Sequence, residues 1–105
     1  MGLFKKTIKP SQQAYAVVTG AGSGIGQSFA MELGKRGGTV VCADINLAAA
    51  EKTVLLLAEL GAKGFAVACD VGQAEQVAEL AEQAEQLMQH PVTLVINNAG
   101  VGLGG

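Results

Sequence analysis

"VVTGAGSGIGQ", residues 17–27, places four glycines within seven positions directly after an apolar run. Glycine loses more conformational entropy on folding than any other residue, so such a cluster needs a structural reason. A buried strand followed by a glycine turn and a helix aims free backbone N–H groups and the positive end of the helix dipole at the turn. The stretch therefore predicts a phosphate-binding turn. The alternative is a tight turn whose glycines merely supply positive φ.

The glycine spacing narrows the kind of phosphate site. No Gly-Lys-Ser/Thr is present, so the stretch is not a P-loop. The G-x-G-x-x-G pattern of many dinucleotide sites also fails, because its third glycine would fall on Ile25 or Gln27. The spacing that fits is T-G-x-x-x-G-x-G, formed by Thr19, Gly20, Gly24 and Gly26.

Four apolar runs alternate with three amphipathic segments along the chain. The runs predict strands at residues 14–19, 39–44 and 64–71, and a fourth strand with its exit at residues 92–100. Apolar residues at helical spacing predict helices from the glycine turn to residue 36, and over residues 47–60 and 73–88. This order of buried strands and helices predicts an α/β fold, a partial Rossmann-type doubly wound parallel sheet with strand order 3-2-1-4.

The second helix has the clearest sequence boundaries. Asn46 is a good N-cap residue, and Gly61 sits where a glycine often follows a helix end. The apolar stripe expected to face the core consists of Leu47, Ala50, Val54, Leu57 and Ala58.

Length and composition fit one globular domain. The 105 residues are 50% hydrophobic and 15% charged, with a net charge of −2. The basic residues are scattered and the few aromatics form no stacking platform, so no nucleic-acid partner is expected. No apolar run reaches membrane-spanning length, so no membrane partner is expected either. We expect residues 1–13 to form a basic lead-in and residues 14–105 to form the partial Rossmann-type domain that carries the phosphate-binding turn.

The two cysteines, Cys42 and Cys69, are too few for a disulfide framework or a zinc site, and no metal site is expected. Both fall late in predicted strands, where cysteine usually acts as a small buried apolar residue. The alternative is a reactive thiol. Unpaired cysteines indicate a reducing compartment, so the expected location is cytoplasmic.

The sequence resembles the short-chain dehydrogenase/reductase family from about residue 14 to residue 100. The resemblance rests on "TGAGSGIG" at residues 19–26, the acidic Asp44 closing strand two, "DV" at residues 70–71, and "NNAG" at residues 97–100. These four signals stand in the right order at βα spacing. The resemblance implies an oxidoreductase that transfers hydride between a nicotinamide cofactor and an alcohol or carbonyl substrate.

The resemblance also implies where a dinucleotide would bind. The glycine turn would hold its diphosphate and adenosine side, and Asp44 would accept hydrogen bonds from both ribose hydroxyls of NAD. The same carboxylate would repel the 2′-phosphate of NADP, and neither Ile45 nor Asn46 brings a positive charge, so NAD is expected over NADP. The alternative for Asp44 is a loop residue that caps the next helix. The implied contacts are Gly20, Ser23, Gly24, Ile25, Gly26, Asp44, Asp70, Val71, Asn98, Ala99 and Gly100.

Two of these groups have particular roles by resemblance. Asp70 and Val71 look like the pair that holds the adenine ring, although Asp70 also suits a cap for the following helix. The asparagines of "NNAG" look structural, because an amide with both donor and acceptor can bridge neighbouring strands. Ala99 and Gly100 would let the cofactor ribose pass closely.

The family's catalytic Ser and Tyr-x-x-x-Lys have no counterpart in this sequence. The one tyrosine, Tyr15, precedes strand one and is followed four positions later by Thr19. We therefore expect a truncated cofactor-binding half that does not turn over alone, with the substrate site in the missing half. Strand four would be an unpaired edge, which predicts a homo-oligomer or pairing with a complementary chain.

Two other functions stay open from the residues. One is a non-catalytic nucleotide-binding module. The other is a fragment of an S-adenosylmethionine-dependent methyltransferase, which also has a glycine turn after strand one and an acidic residue after strand two. "NNAG" after strand four is not expected in a methyltransferase.

Overall fold

One parallel four-stranded sheet forms the centre of the computed structural model, which describes residues 13–98. Its strands are β1 (Tyr15–Thr19), β2 (Thr39–Asp44), β3 (Lys63–Ala68) and β4 (Leu94–Asn97). They lie in the order β3-β2-β1-β4, and each neighbouring pair is parallel. The predicted α/β class and the predicted strand order 3-2-1-4 are confirmed. Most of the expected lead-in, together with Ala99 and Gly100, lies outside the described residues.

Three helices cover the two faces of the sheet. They are α1 (Gly24–Lys35), α2 (Leu47–Glu59) and α3 (Ala74–Met88). Helices α1 and α2 share one buried cluster with Ala16 and Val18 of β1, whereas α3 packs against Val17 from the opposite side. Successive side chains of a strand point to opposite faces, so β1 is apolar throughout because both of its faces are covered.

The ends of α2 follow the predicted signals. The Asn46 side chain accepts a hydrogen bond from the Ala49 backbone N–H at 3.1 Å, which confirms the N-cap. Gly61 has φ of +80° directly after the last turn, a conformation that glycine adopts without strain.

Strand β3 begins and ends earlier than predicted. It stops at Ala68 because the Asp70 backbone N–H is taken by the side-chain oxygen of Gln76 at 2.8 Å. The Asp70 carboxylate also accepts the Gly72 N–H at 2.9 Å and turns the chain out of the sheet. The predicted extension to residue 71 is therefore wrong.

The buried face of α2 agrees with the predicted stripe only in part. Leu47 is 41% exposed and Ala58 is exposed, whereas Ala50 and Leu57 are buried as expected. Thr53 is fully buried between those two residues along the helix. Val54 packs against the same core, so three of the five predicted positions are confirmed. The prediction left out Thr53 because it counted apolar residues alone.

Both cysteines are buried and unpaired, as predicted for small apolar residues. Burial disfavours the thiolate and raises the pKa of Cys42 to about 12. The pKa of Cys69 is raised by burial and also by the carboxylates of Asp70 and Glu79. Both thiols therefore stay protonated at neutral pH.

Strand β4 lies at one edge of the sheet. In residues 13–98 it pairs with β1 alone, and Val95 is 55% exposed. None of the helices between residues 13 and 98 has both the length and the apolar character needed to cross a membrane.

Two glycines of α1 differ in what a side chain would meet. A Cβ on Gly26 would overlap the carbonyl oxygen of Gly20, a backbone atom that cannot move independently. A Cβ on Gly34 would lie 2.5 Å from Cδ2 of Leu57, the far end of a flexible side chain. At Gly26 the backbone of α1 thus lies so close to the residue after β1 that no side chain can be accommodated.

We expect Gly26→Ala to lower the free energy of unfolding by about 2–3 kcal/mol, because the backbone of β1 and α1 must separate. Gly34→Ala is the matched control: its gain in helix propensity, about 1 kcal/mol, offsets the shift of Leu57. Urea unfolding followed by circular dichroism measures both. Equal losses in the two variants would contradict this account.

Candidate functional site

The predicted site residues that the structure describes lie together at the carboxyl ends of the strands. All four strands are parallel, and the register pairs Thr19 with both Ala43 and Asn97, and Asp44 with Ala68. The loops that follow β1, β2, β3 and β4 therefore leave the sheet at the same end, the carboxyl end. In open α/β sheets ligands bind at the carboxyl ends of the strands, where the strand order reverses, here between β1 and β4.

The glycine turn presents an open helix N-terminus. Gly20 and Gly24 have φ of +66° and +58°, and a Cβ on Gly24 would meet nothing within 4 Å. Ser23 is the N-cap with an exposed side chain that makes no capping bond, and Ile25 is 68% exposed. The first N–H groups of a helix have no partner within it, so this surface suits an anion.

The other two glycines of the turn are required for packing. A Cβ on Gly22 would lie 2.5 Å from Cβ of Ala49 on α2. A Cβ on Gly26 would lie 2.8 Å from Nδ2 of Asn98, besides overlapping Gly20. Positive φ thus accounts for two glycines and close packing for the other two, so the turn lies directly against its neighbours.

The Asp44 carboxylate joins two loops. Its Oδ2 accepts the Gly22 N–H at 2.8 Å and its Oδ1 accepts the Asn46 N–H at 2.9 Å. Asn46, not Asp44, caps α2. Each carboxylate oxygen has two lone pairs, so each retains one acceptor site after these bonds. The carboxylate is therefore oriented in advance and still able to accept further hydrogen bonds.

Asp70 lies in the loop after β3 but does not cap α3. The N-cap is Gln73, whose side chain makes no capping bond, and the Asp70 carboxylate accepts the Gly72 N–H instead. Val71 is half-buried and packs against the α3 side of the core. The sequence reading of Asp70 as a helix cap is corrected, because the chain needs one more turn before α3 begins.

The two asparagines at the end of β4 bind the neighbouring β1 and the turn that follows it, and the predicted bridge between strands is formed by Asn97, the last residue of β4. The Thr19 hydroxyl donates to Oδ1 of Asn97 at 2.9 Å, and Nδ2 of Asn98 donates to the Gly20 carbonyl at 3.5 Å. Both bonds tie the exit of β4 to the start of the glycine turn. Ala99 and Gly100, the other predicted contacts of this segment, lie outside the described residues.

Sequence reasoning missed two polar residues behind the turn. The Thr53 hydroxyl donates to the Ala21 carbonyl at 2.8 Å and accepts from Nε2 of Gln27 at 3.0 Å. The sequence did contain a signal for Thr53: it follows Ala50 by three residues and therefore lies on the buried face of α2. A polar residue at such a position needs a hydrogen-bond partner.

The described residues include no group of three or more His, Cys, Asp or Glu side chains placed to hold a metal ion. The polar groups at the carboxyl end of the sheet are instead backbone N–H groups, one oriented carboxylate and amide side chains. That donor and acceptor set suits a phosphorylated ligand with sugar hydroxyls.

Comparison of the sequence with known proteins identifies a single protein family. Residues 14–105 match the sequence model of the family described as short chain dehydrogenase. The chain is 38% identical over 87 residues to 7alpha-hydroxysteroid dehydrogenase of Escherichia coli strain K12, covering 83% of this chain and 34% of that protein. It is 39% identical over 90 residues to a 3-oxoacyl-acyl-carrier-protein reductase of Pseudomonas aeruginosa, covering 86% and 36%.

A solved structure supports the same assignment. A 7alpha-hydroxysteroid dehydrogenase complexed with NADH and 7-oxo glycochenodeoxycholic acid superposes with a TM-score of 0.70 at 36% identity, over 72% of this chain and 30% of that one. This chain belongs to the short-chain dehydrogenase family of oxidoreductases. It spans about a third of the length of the curated relatives it matches. The methyltransferase alternative is not supported.

We expect Asp44→Ala to lower the free energy of unfolding by about 1–3 kcal/mol, because hydrogen bonds from Gly22 and Asn46 to a charged acceptor are lost. Asp44→Asn keeps one acceptor oxygen and should lose less. Urea unfolding measures both variants.

The control for this comparison is Glu32→Ala, which removes an exposed carboxylate paired with Arg36 on α1. Its effect should stay within about 0.5 kcal/mol. A loss in Asp44→Ala no larger than that of the control would show that the carboxylate does not hold the two loops together.

Proposed function

We propose that this chain forms the dinucleotide-binding part of an NAD-dependent short-chain dehydrogenase. The reaction proposed for the whole enzyme is hydride transfer between the nicotinamide ring and an alcohol or carbonyl substrate. The observation that carries the proposal is the hydrogen bond between the Gly22 N–H and the Asp44 carboxylate at 2.8 Å, which sets an acidic side chain beside an open helix N-terminus. A relative of known structure was solved with NADH.

The diphosphate of the cofactor is proposed to lie over the N-terminus of α1. Gly24 leaves space there, and Gly20 supplies the left-handed backbone that brings the chain round from β1. The exposed Ser23 hydroxyl and the exposed Ile25 side chain lie on the same turn. The helix dipole and unpaired N–H groups stabilise negative charge at this place.

Asp44 is proposed to bind the adenosine ribose and to set the preference for NAD. Its two oxygens are held by backbone N–H groups and each retains a lone pair for a ribose hydroxyl. A 2′-phosphate at the same place would meet the carboxylate charge, and residues 20–26 and 44–46 contain no lysine or arginine to offset that repulsion. NAD therefore fits these residues better than NADP.

The remaining predicted contacts complete the proposed cofactor site. Asp70 and Val71 are proposed to border the adenine ring, since their loop leaves β3 beside the end of β2. Asn98 is proposed to act by holding the Gly20 carbonyl rather than by touching the reacting atoms. When bound, the nicotinamide supplies or accepts the hydride, and these residues bind and orient the rest of the cofactor.

Isothermal titration calorimetry with NAD and with NADP tests the proposal. The 105-residue chain should bind NAD at least about tenfold more tightly than NADP, because burying like charges together costs at least 1.4 kcal/mol. Asp44→Ala should narrow that ratio by weakening NAD binding and strengthening NADP binding.

Glu32→Ala is the matched control for charge, since it removes a carboxylate from α1 away from the turn, and it should leave both affinities unchanged. Equal affinities of the wild-type chain for the two cofactors would overturn the NAD preference. Absence of binding to either one would overturn the site itself.

The edge strand supports a further part of the proposal, self-association through β4. Its outer edge is unpaired within the described residues, and the side chain of Val95 on this strand is 55% exposed. Such an edge favours pairing with a second copy of the chain. Sedimentation equilibrium should show a concentration-dependent dimer that Val95→Lys weakens. A wild-type chain that stays monomeric at high concentration would contradict this.

The cysteines support a cytoplasmic location within the same proposal. Cys42 and Cys69 are both free thiols, which persist in reducing compartments.

A further inference from the structure

We propose that Thr53 is a positioning residue for the dinucleotide site, because its buried hydroxyl fixes the orientation of the peptide between Ala21 and Gly22. Thr53 lies on α2 and is fully buried. The proposal rests on the proposed function, since it assumes that the glycine turn binds the cofactor. It adds a residue that lies behind the turn.

The hydroxyl has one proton, and the geometry shows where it goes. The Thr53 oxygen lies 2.8 Å from the Ala21 carbonyl but 3.4 Å from the carbonyl of Ala49 in its own helix. The shorter distance is typical of a good O–H···O bond, whereas the longer one is weak. The hydroxyl therefore donates to the turn in preference to the helix backbone.

The peptide that receives this bond is held from its other side as well. The Ala21 carbonyl and the Gly22 N–H belong to one planar unit, and in a trans peptide they point in opposite directions. Thr53 holds the oxygen and Asp44 accepts from the nitrogen at 2.8 Å. Rotation of this peptide would break both bonds, so the Thr53 hydroxyl also keeps the Asp44 carboxylate in place.

Gln27 fixes the hydroxyl itself. Its side-chain N–H donates to the Thr53 oxygen at 3.0 Å, which occupies a lone pair and leaves the proton directed at Ala21. Gln27 belongs to α1, so one buried oxygen connects α1, α2 and the turn. The contact between Gly22 and Ala49, where a Cβ would come within 2.5 Å, shows independently that the turn is seated on α2.

The test compares Thr53→Val with Thr53→Ser in calorimetry with NAD. Valine keeps the shape but removes both hydrogen bonds, and the Kd for NAD should rise about fivefold to tenfold through loss of the oriented peptide. Serine keeps the hydroxyl and should restore the Kd to within about twofold of wild type. Amide hydrogen exchange at Gly22 should accelerate in T53V relative to the β2 amide of Val41.

A merely structural role would lower the urea midpoint of T53V without changing its NAD affinity at a temperature where it is folded. That result, or a T53S variant that binds as weakly as T53V, would overturn the proposal. Failure of the wild-type chain to bind NAD would instead overturn the proposed function, so the two failures are distinguishable.

Should T53V not fold, Gln27→Met provides the second variant. It leaves the Thr53 hydroxyl in place but frees its orientation, and the Kd for NAD should rise about twofold to threefold. Gln83→Met on the exposed face of α3 is the matched control and should bind NAD as the wild type does. An unchanged NAD affinity in Q27M would then overturn the proposal.

Discussion

The peptide between Ala21 and Gly22 is the point on which the site depends. Its carbonyl accepts from Thr53 and its N–H donates to Asp44, so both of its polar groups are satisfied inside the protein. Buried backbone polar groups without partners are costly, which ties this turn to one orientation. The same bonds that stabilise the turn therefore also orient the carboxylate proposed to bind the cofactor ribose.

The parallel sheet makes this arrangement possible. Because β1, β2 and β4 run in one direction, the loops after them leave the sheet together, and Gly20, Asp44 and Asn98 become neighbours. The polar groups of these loops then bind one another, which leaves the N-terminus of α1 as the open donor surface. The contacts that stabilise the fold here are thus also those of the proposed cofactor site, and glycine permits the close approach that they need.

Much of the fold was predictable from periodicity, and particular residues show where that prediction ended. The strand order and the Asn46 cap were predicted because they depend on local pattern and on the handedness of βαβ units. The end of β3 was wrong because Gln76, six residues away, takes the Asp70 N–H. The α2 stripe was correct at Ala50, Val54 and Leu57 and wrong at Leu47 and Ala58. It left out Thr53, because the hydrogen-bond partner that allows this polar residue to be buried, Ala21, lies 32 positions away in the sequence.

The sequence by itself determined the α/β class, the strand order, the glycine turn and the membership of the short-chain dehydrogenase family. These follow from the local spacing of residues together with the fixed handedness of βαβ units. Only the tertiary structure decided which glycines serve φ and which serve packing. It also decided that Gly22 and Thr53 hold the turn and that Asp44 is oriented by two backbone N–H groups. The physical reason is that hydrogen-bond partners far apart in sequence are chosen by the register of the sheet.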